Sequence, residues 1–410
     1  MKKIMNRIFP VFIICSVLLL SISCSYMKTD LGNEDIDVSI TQIKSSGKNG
    51  VILSFNTITS KLEIPSSVQG LPVLKIYFKK TTNLSSLTSI TFEEPSSVTE
   101  IDTFKGASSL KSIVLPDSLT VMPTFQNCKA LTEVTLSSKI TEIPESCFEG
   151  CTELVSVSKQ KKSDSDSESL EGIKIIGKKA FNGCTKLKSI ALETSSITKI
   201  KEQTFYNCSV LTEVILPETI GSADEEDEQE KKSNNGSGSN TKSIGREAFA
   251  LCSKLTKVEG FEKAVTLGEK IFDSCSNLSE VRIYDQIEEI PESMFSGCSA
   301  LKTFNIPEKV KKIGNSAFSN TGLKELKCYP TTPPSITKPG LPEKPKETSA
   351  ATESASTGTT DSTDTTNTTE TETSSSIEIT VYVPAASLAL YEEEWGKVLD
   401  LTKVAIKALE

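Results

Sequence analysis

The stretch that decides the fold is Phe205-Tyr206-Asn207-Cys208-Ser209-Val210-Leu211-Thr212-Glu213-Val214-Ile215-Leu216-Pro217. Its pattern of residues recurs along most of the chain. Its phenylalanine serves as a phase marker, and successive markers lie 21, 23, 33, 24, 44, 23, 23 and 23 residues apart. The markers are Phe104, Phe125, Phe148, Phe181, Phe205, Phe249, Phe272, Phe295 and Phe318. A period of about 23 residues predicts a solenoid, in which each coil packs only against its neighbours.

Each unit also carries apolar residues at fixed distances from its phenylalanine. A cysteine stands three places after the marker in seven units, and a leucine stands six places after it in eight. The segment 110–115 has the spacing of a leucine-rich-repeat strand, with Leu110, Ile113 and Leu115 inward and Lys111, Ser112 and Val114 outward. We therefore predict short parallel β-strands, a helical turn around residues 180–184, and about ten coils, roughly 45 Å long at ~4.8 Å per coil. This solenoid is expected to span residues 51–335.

Two intervals exceed the period, and the excess residues have a different composition. They correspond to residues 159–172 and 222–242, which are rich in Ser, Lys, Asp and Glu and lack the apolar positions of a unit. We interpret both as solvated loops inserted between coils. A calcium site is the alternative, but the acidic runs lack the glycine and the ligand spacing of a calcium loop.

The N-terminus has the features of an export signal. Lys2, Lys3 and Arg7 precede an apolar run that ends at Leu20, and this run is too short to span a membrane as a helix. Small residues flank position 22 just before Cys24, as in the bacterial lipobox, although Ser21 replaces the usual leucine. We predict a signal peptide over residues 1–23, lipidation of Cys24 and a tether over residues 24–50. Simple secretion with a free Cys24 remains the alternative.

Composition excludes several kinds of chemistry. The 410 residues include no histidine, which removes His-dependent nucleophilic catalysis and His-ligated zinc. The net charge is −9, and loss of residues 1–23 would leave 42 basic against 54 acidic residues, a balance of −12. Such a charge disfavours binding to nucleic acid or anionic lipid. We expect no cofactor and no bound metal.

The cysteines allow two interpretations. Of the 11 cysteines, nine remain once Cys15 and Cys24 are set aside, and seven of these occupy one position of the repeat. An exported chain with this count could hold a disulfide framework. Recurrence at one phase beside Phe and Leu favours instead a column of reduced, buried side chains. Cys147 and Cys328 lie outside this phase and are expected to be the more reactive thiols.

The pattern A-F-x-G-C-x-x-L-x-x-I-x-L-P, seen from Ala180 and most fully over residues 205–217, resembles the BspA-like leucine-rich-repeat family of bacterial surface proteins. Residues 62–73 resemble the first segment of that family, and residues 381–387 with Tyr391 and Trp395 resemble its closing segment. A Ser/Thr/Glu-rich stretch over residues 336–376 interrupts the resemblance and is expected to be disordered. Residues 377–410 should then supply a closing strand and a capping helix. An independent C-terminal module is the alternative.

The resemblance implies protein binding at the cell surface, with attachment to host matrix proteins, host cells or other bacteria. We expect a monomer, exported and lipid-anchored at the outer membrane. The candidate contact residues point outward from the strands: Lys111, Ser112, Glu133, Lys188, Glu213, Glu280, Arg282 and Lys302. Any one of them could equally be an ordinary solvated residue. One alternative function is that of an envelope lipoprotein that binds a partner of the same cell. Another is a carboxylate-based glycan hydrolase, with acids such as Glu288-Glu289 or residues 392–394.

Overall fold

The computed structural model describes residues 22–24, 36–45, 48–160, 170–222, 243–341 and 378–409. Its strands are β1 Ile22–Cys24, β2 Val38–Ser45, β3 Lys48–Phe55, β4 Lys61–Ile64, β5 Ser67–Val68, β6 Leu71–Phe78, β7 Ser89–Phe92, β8 Glu100–Ile101, β9 Ser112–Val114, β10 Glu133–Leu136 and β11 Glu142–Ile143. They continue as β12 Ser156–Lys159, β13 Ile175–Ile176, β14 Glu213–Ile215, β15 Lys257–Glu259, β16 Glu289–Ile290, β17 Thr303–Ile306, β18 Lys312–Ile313, β19 Glu325–Cys328, β20 Ser335–Ile336, β21 Ile379–Val383 and β22 Val404–Ala408.

Strands from most of the coils make up what we call the long-strand ladder, although residues 187–192 of one coil form no strand. It consists of the parallel groups β4-β7, β9-β10-β12, β14-β15 and β17-β19-β21-β22. In the second group, Val134 is in register with Ile113 on one side and Val157 on the other. The inward positions predicted for residues 110–115 are confirmed: Leu110, Ile113 and Leu115 are buried, and Lys111, Ser112 and Val114 are exposed.

A second, shorter strand of each coil forms the short-strand ladder. It is built from β6-β8, β11-β13 and β16-β18-β20, with single bridges that join Ile200, Ile244 and Leu267 in the coils between them. Five places before seven of the nine marker phenylalanines stands an isoleucine, or Leu267 in one coil, and this side chain is buried, as for Ile143, Ile176 and Ile290. Each of these seven coils therefore buries one apolar side chain on this ladder.

The phenylalanines form a continuous column through the core. Their rings lie 5.2 to 5.9 Å apart, centroid to centroid, from Phe55 through Phe78 and Phe104 to Phe318. From Phe104 onward, neighbouring rings in this column are inclined by 20° or less, which is the offset-stacked arrangement that aromatic rings favour. The column includes two rings, Phe55 and Phe78, ahead of Phe104, which was the first phenylalanine that the repeat spacing identified. The predicted total of about ten coils stays a prediction.

The helical turn expected around residues 180–184 is wrong. This segment is a series of tight turns, in which the N–H of Cys184 donates to the carbonyl of Phe181 at 3.1 Å. Lys179 and Gly183 have positive φ, 58° and 76°, and a left-handed residue on each side of the phenylalanine prevents a helix. Within the described residues there is one α-helix, α1 (Leu388–Trp395), besides 3-10 segments at Leu84–Ser86, Phe261–Lys263 and Ala385–Ser387.

The cysteines of the repeat form a second column beside the phenylalanines. Each thiol donates to the carbonyl of the phenylalanine in the preceding coil; Cys151, for example, donates to Phe125 at 3.0 Å. The same contact recurs for Cys128, Cys184, Cys208, Cys252, Cys275 and Cys298 at 3.0 to 3.3 Å. All nine cysteines within residues 128–328 are free and buried. A cysteine thus fills a small apolar space and also satisfies a buried carbonyl.

Cys147 and Cys328 were expected to be more reactive than the other cysteines because they lie outside the cysteine position of the repeat. The structure shows that this expectation is wrong. Both are fully buried, and the Cys147 thiol lies against the carbonyl of Pro123 at 3.5 Å. Burial raises the pKa of Cys147 and of Cys328 because it disfavours the thiolate.

The tether predicted over residues 24–50 differs from the structure in its second half. β2 and β3 pair antiparallel from Val38 with Phe55 to Ser45 with Lys48, and β1 pairs with β2. Alternation explains this hairpin, because Val38, Val51, Leu53 and Phe55 are buried while their neighbours in the strands face outward. β3 then pairs in parallel with β6, so the hairpin covers the open edge of the first coil.

The C-terminal segment continues the long-strand ladder. β21 pairs in parallel with β19, and β22 adds a further parallel strand that the sequence interpretation missed. α1 packs over residues 330–334, where the Tyr391 hydroxyl donates to the carbonyl of Pro330 at 2.9 Å and the Trp395 indole N–H donates to that of Pro334 at 3.0 Å. No helix in the described part of the chain is long and apolar enough to cross a membrane.

The insert boundaries are narrower than the composition suggested. Lys159 belongs to β12, Leu170 is buried in the core, and residues 335–336 form β20. The remainder of the predicted loops and of the low-complexity stretch, residues 161–169, 223–242 and 342–377, lies outside the described residues.

Candidate functional site

The outward side of the long-strand ladder, which we call the strand face, carries all eight residues proposed as contacts. Every one of them is exposed: Lys111, Ser112, Glu133, Lys188, Glu213, Glu280, Arg282 and Lys302. Their exposure follows from the alternation of the strands, in which neighbours such as Ile113, Val134 and Val214 point into the core. Exposure alone does not distinguish a contact from a solvated residue.

The structure brings some of these residues together across coils. Ser112 is in register with Glu133. Glu213 is in register with Lys257, which in turn bridges to Glu280, so that two of the proposed acids flank one lysine. Lys111, Lys188 and Lys302 occupy the same position of the repeat in separate coils. They therefore share one row of the face without forming a cluster.

A shallow hollow of about 420 Å³ lies on the strand face where Glu280 and Arg282 meet β14 and β15. Lys257 forms an ion pair with Glu259 at 2.5 Å, and this hydrogen bond raises the pKa of Lys257. Lys263 pairs with Glu218 at the same hollow. Cations and carboxylates alternate here, which suits a polar protein surface of mixed charge.

The strand face also exposes apolar side chains. Val114 is 60% exposed, Val155 42% and Ile215 39%. A bound partner protein could bury these apolar side chains, while the polar residues around them stay at the edge of the contact. Protein interfaces commonly combine an apolar centre with a polar rim in this way. The sequence placed Val114 outward but did not single it out as a contact.

A larger groove, which the sequence interpretation missed, runs along the short-strand ladder. Its volume is about 1040 Å³, and residues of eight successive coils, from Glu142 to Thr337, line it. Its floor includes glycines at one position of the repeat, four places before the marker phenylalanine: Gly177, Gly245, Gly268 and Gly314. Proline takes this place in other coils, as Pro291 does. The recurrent Ile-Gly or Ile-Pro pair was the sequence signal for this groove.

Close packing between coils explains the glycines of the floor. A β-carbon on Gly177 would lie 2.4 Å from the backbone nitrogen of Glu145, and one on Gly268 would lie 2.5 Å from that of Arg246. The neighbouring coil therefore occupies the space of a side chain, and the floor of the groove is mainly backbone. Its walls carry ion pairs: Lys178 with Glu202 at 2.9 Å and Arg246 with Glu269 at 3.1 Å.

The acid pairs considered for glycan hydrolysis are engaged with lysines. Glu288 pairs with Lys311 at 2.8 Å and Glu289 with Lys312 at 2.7 Å. The hydrogen bond from Lys311 lowers the pKa of Glu288, whereas a general acid needs a raised pKa. Lys397, which follows α1, pairs with Glu394 of that helix at 2.7 Å. The described residues contain no group of three or more Cys, Asp or Glu side chains placed to hold a metal ion.

Repeating coils, two parallel ladders and a stacked phenylalanine column define a leucine-rich-repeat solenoid. The family model for the BspA type leucine rich repeat region matches residues 74–170, 160–227 and 232–337, in 6 copies. The chain belongs to this family, as the resemblance of its repeats predicted.

Solved structures of bacterial proteins match the chain at low sequence identity. A leucine rich cell surface protein from Faecalibacterium prausnitzii is 19% identical, over 71% of this chain and 87% of that one, with a TM-score of 0.37. The pneumococcal vaccine antigen PcpA is 16% identical, over 93% and 98% of the two chains, with a TM-score of 0.44. A leucine-rich repeat protein from Bacteroides ovatus is 20% identical, over 93% and 100%, with a TM-score of 0.34. No curated protein matches the sequence.

Proposed function

We propose that this chain is an exported, lipid-anchored protein of the bacterial cell surface that binds proteins of host matrix, host cells or other bacteria through its strand face. Cys24 carries the lipid in this proposal, and the solenoid acts as a monomer. Membership of the BspA-type family supports a protein-binding repeat protein. The signal-like N-terminus and the small residues before Cys24 support export and anchoring.

The observation that carries the proposal is the long, regular strand face itself. Its rows of exposed polar residues are interrupted by exposed Val114, Val155 and Ile215, and each row is held in register by a stacked core. Solenoids bind partners through such extended surfaces, in which many modest contacts add up. Orientation is fixed by the ladder, so little conformational entropy is lost on binding.

A charge-reversal experiment tests the strand face. The triple variant Lys111→Glu, Lys188→Glu, Lys302→Glu reverses one row of the face, and we expect at least a tenfold loss of affinity for immobilised extracellular-matrix proteins. The matched control reverses three exposed lysines at other positions of the coil, away from the candidate contact residues: Lys105→Glu, Lys129→Glu and Lys309→Glu. It changes the net charge equally and should alter the affinity less than twofold. Equal effects of the two triples would contradict a role for the strand face.

Localisation is tested by protease treatment of intact cells that produce the wild type or Cys24→Ser. Cleavage on intact cells, with release or mislocalisation of Cys24→Ser, is the expected result. Protection until the envelope is opened would favour the alternative, an envelope lipoprotein whose partner belongs to the same cell. The oligomeric state is measured separately by light scattering, where we expect the mass of one chain.

A further inference from the structure

We infer that the groove along the short-strand ladder binds an extended, lysine- or arginine-rich segment of a protein partner. The inference rests on the proposed function only in taking the partner to be a protein. It concerns a different side of the coils from the strand face, and a separate set of residues carries it.

The length of the groove fits an extended chain. Lining residues come from eight successive coils, between Glu142 and Thr337. At about 4.8 Å per coil the groove is roughly 34 Å long, which is the length of about ten residues of extended polypeptide. Its volume of about 1040 Å³ is at the upper end of the range for small-molecule pockets, and its elongated form favours a linear occupant.

The floor allows a chain to approach closely. At Gly177, Gly245, Gly268 and Gly314 no side chain rises from the floor, because the adjacent coil excludes even a β-carbon at these positions. In these four coils the absence of a side chain is therefore a requirement of coil packing, whereas Lys201 and Pro291 carry a side chain at the same position. Backbone without side chains is the surface on which another main chain can lie closest.

The charge of the walls selects the occupant. Seven glutamates line the groove against four basic residues, an excess of three negative charges. The basic residues Lys178, Arg246 and Lys312 are already paired with lining glutamates. Among the described residues, none forms an ion pair with Glu142, Glu145 or Glu292, which are exposed; the first two lie at one end of the groove and Glu292 in the sixth of its eight coils. These three carboxylates are available to a cationic ligand, and an anionic one would meet repulsion.

The test uses the full mature chain and a fluorescein-labelled ten-residue peptide of alternating Lys and Ser, followed by fluorescence anisotropy. The groove variant is Glu142→Gln, Glu145→Gln, Glu292→Gln. The matched control is Glu153→Gln, Glu193→Gln, Glu308→Gln, which removes the same charge from exposed positions outside both the groove lining and the candidate contact residues. We expect saturable binding that the groove variant weakens at least tenfold and the control less than twofold. An alternating Glu-Ser peptide should not bind.

A second variant tests shape without changing charge. Val265 lies in the groove lining and is 42% exposed, so Val265→Trp should obstruct the groove while the coil keeps its fold. We expect at least a tenfold loss of peptide binding with an unchanged unfolding midpoint. Equal weakening by the two glutamine triples, binding of the Glu-Ser peptide, or full binding by Val265→Trp would each overturn the inference. If the protein binds the peptide but no matrix protein, the proposed function is contradicted, whereas the inference about the groove is supported.

Discussion

Gly245 shows how one missing side chain sets the spacing of two coils. A β-carbon there would lie 2.5 Å from the backbone nitrogen of Glu202 and 2.7 Å from the carbonyl carbon of Lys201, neither of which can rotate away. We expect Gly245→Ala to lower the free energy of unfolding by about 1–3 kcal/mol, the usual cost of overpacking. Urea denaturation followed by circular dichroism measures the change.

The matched control for Gly245→Ala is Lys201→Ala, at the equivalent position of the preceding coil. Lys201 already has a β-carbon, so its truncation adds no clash, and the expected change is within about 0.5 kcal/mol. If Gly245→Ala is as stable as the wild type, the coils are not packed as closely as the structure indicates.

The buried thiols predict an alkaline loss of stability. Burial raises the pKa of Cys208, and raises that of Cys252 to about 12. Above about pH 8.5 an unfolded thiol loses its proton while the buried thiol keeps it, so the free energy of unfolding falls as pH rises. At pH 10 each such thiol should contribute a fall of about 2 kcal/mol.

Urea denaturation at pH 8 and pH 10, with a reductant present, checks this contribution. Cys208→Ala, Cys252→Ala lacks two of the titrating thiols and should lose less stability between the two pH values than the wild type. Because the comparison is made within each protein, the cavities left by alanine cancel. The same loss in both proteins would mean that these thiols are accessible in the folded state.

At the scale of the coil, the stacking of the rings predicts how much a single phenylalanine contributes to stability. Phe205 is fully buried, and its ring lies 5.4 Å from that of Phe181 and 5.5 Å from that of Phe249. Phe205→Ala should cost about 3–5 kcal/mol, because it leaves a cavity between two coils. Thermal or urea unfolding measures it, with the adjacent, partly exposed Tyr206→Ala as a control of smaller effect. A loss of stability below about 1 kcal/mol would show that Phe205 is not a core residue.

The strands of a coil could be predicted from sequence, whereas its turns could not. Period-two burial around Ile113 is visible because alternate residues differ in polarity. The turn beside Phe181 depends on the left-handed residues Lys179 and Gly183, and lysine gives no signal for positive φ. A short run such as Ala180-Phe181 is equally compatible with one turn of helix, so the helical expectation failed there.

At the scale of the whole molecule, the period predicted the solenoid because one set of core positions repeats along it. The hairpin of β2 and β3 could not be found in this way, since residues 38–55 carry only Phe55 and none of the cysteine or leucine positions of the unit. The strand-face residues could be placed outward from alternation alone. The recurring Ile-Gly and Ile-Pro pairs mark the position of the coil that forms the groove floor, but the groove itself arises only because the short-strand ladder aligns these positions from several coils.

The long interval between Phe205 and Phe249 gives a prediction for the whole solenoid. The two rings stack at 5.5 Å although 44 residues separate them, so their coils are adjacent despite the extra length. Deletion of residues 222–242 removes 21 residues and leaves Phe205 and Phe249 separated by 23 residues, which is the commonest spacing of the repeat. Gly221, which donates to the carbonyl of Thr198, would then be joined directly to Ser243 beside the bridge of Ile244 with Ile200. We expect an unchanged circular dichroism spectrum and a free energy of unfolding within about 1 kcal/mol of the wild type, since shortening a loop lowers its closure entropy only slowly. Loss of cooperative unfolding would show that the deleted residues belong to the solenoid core.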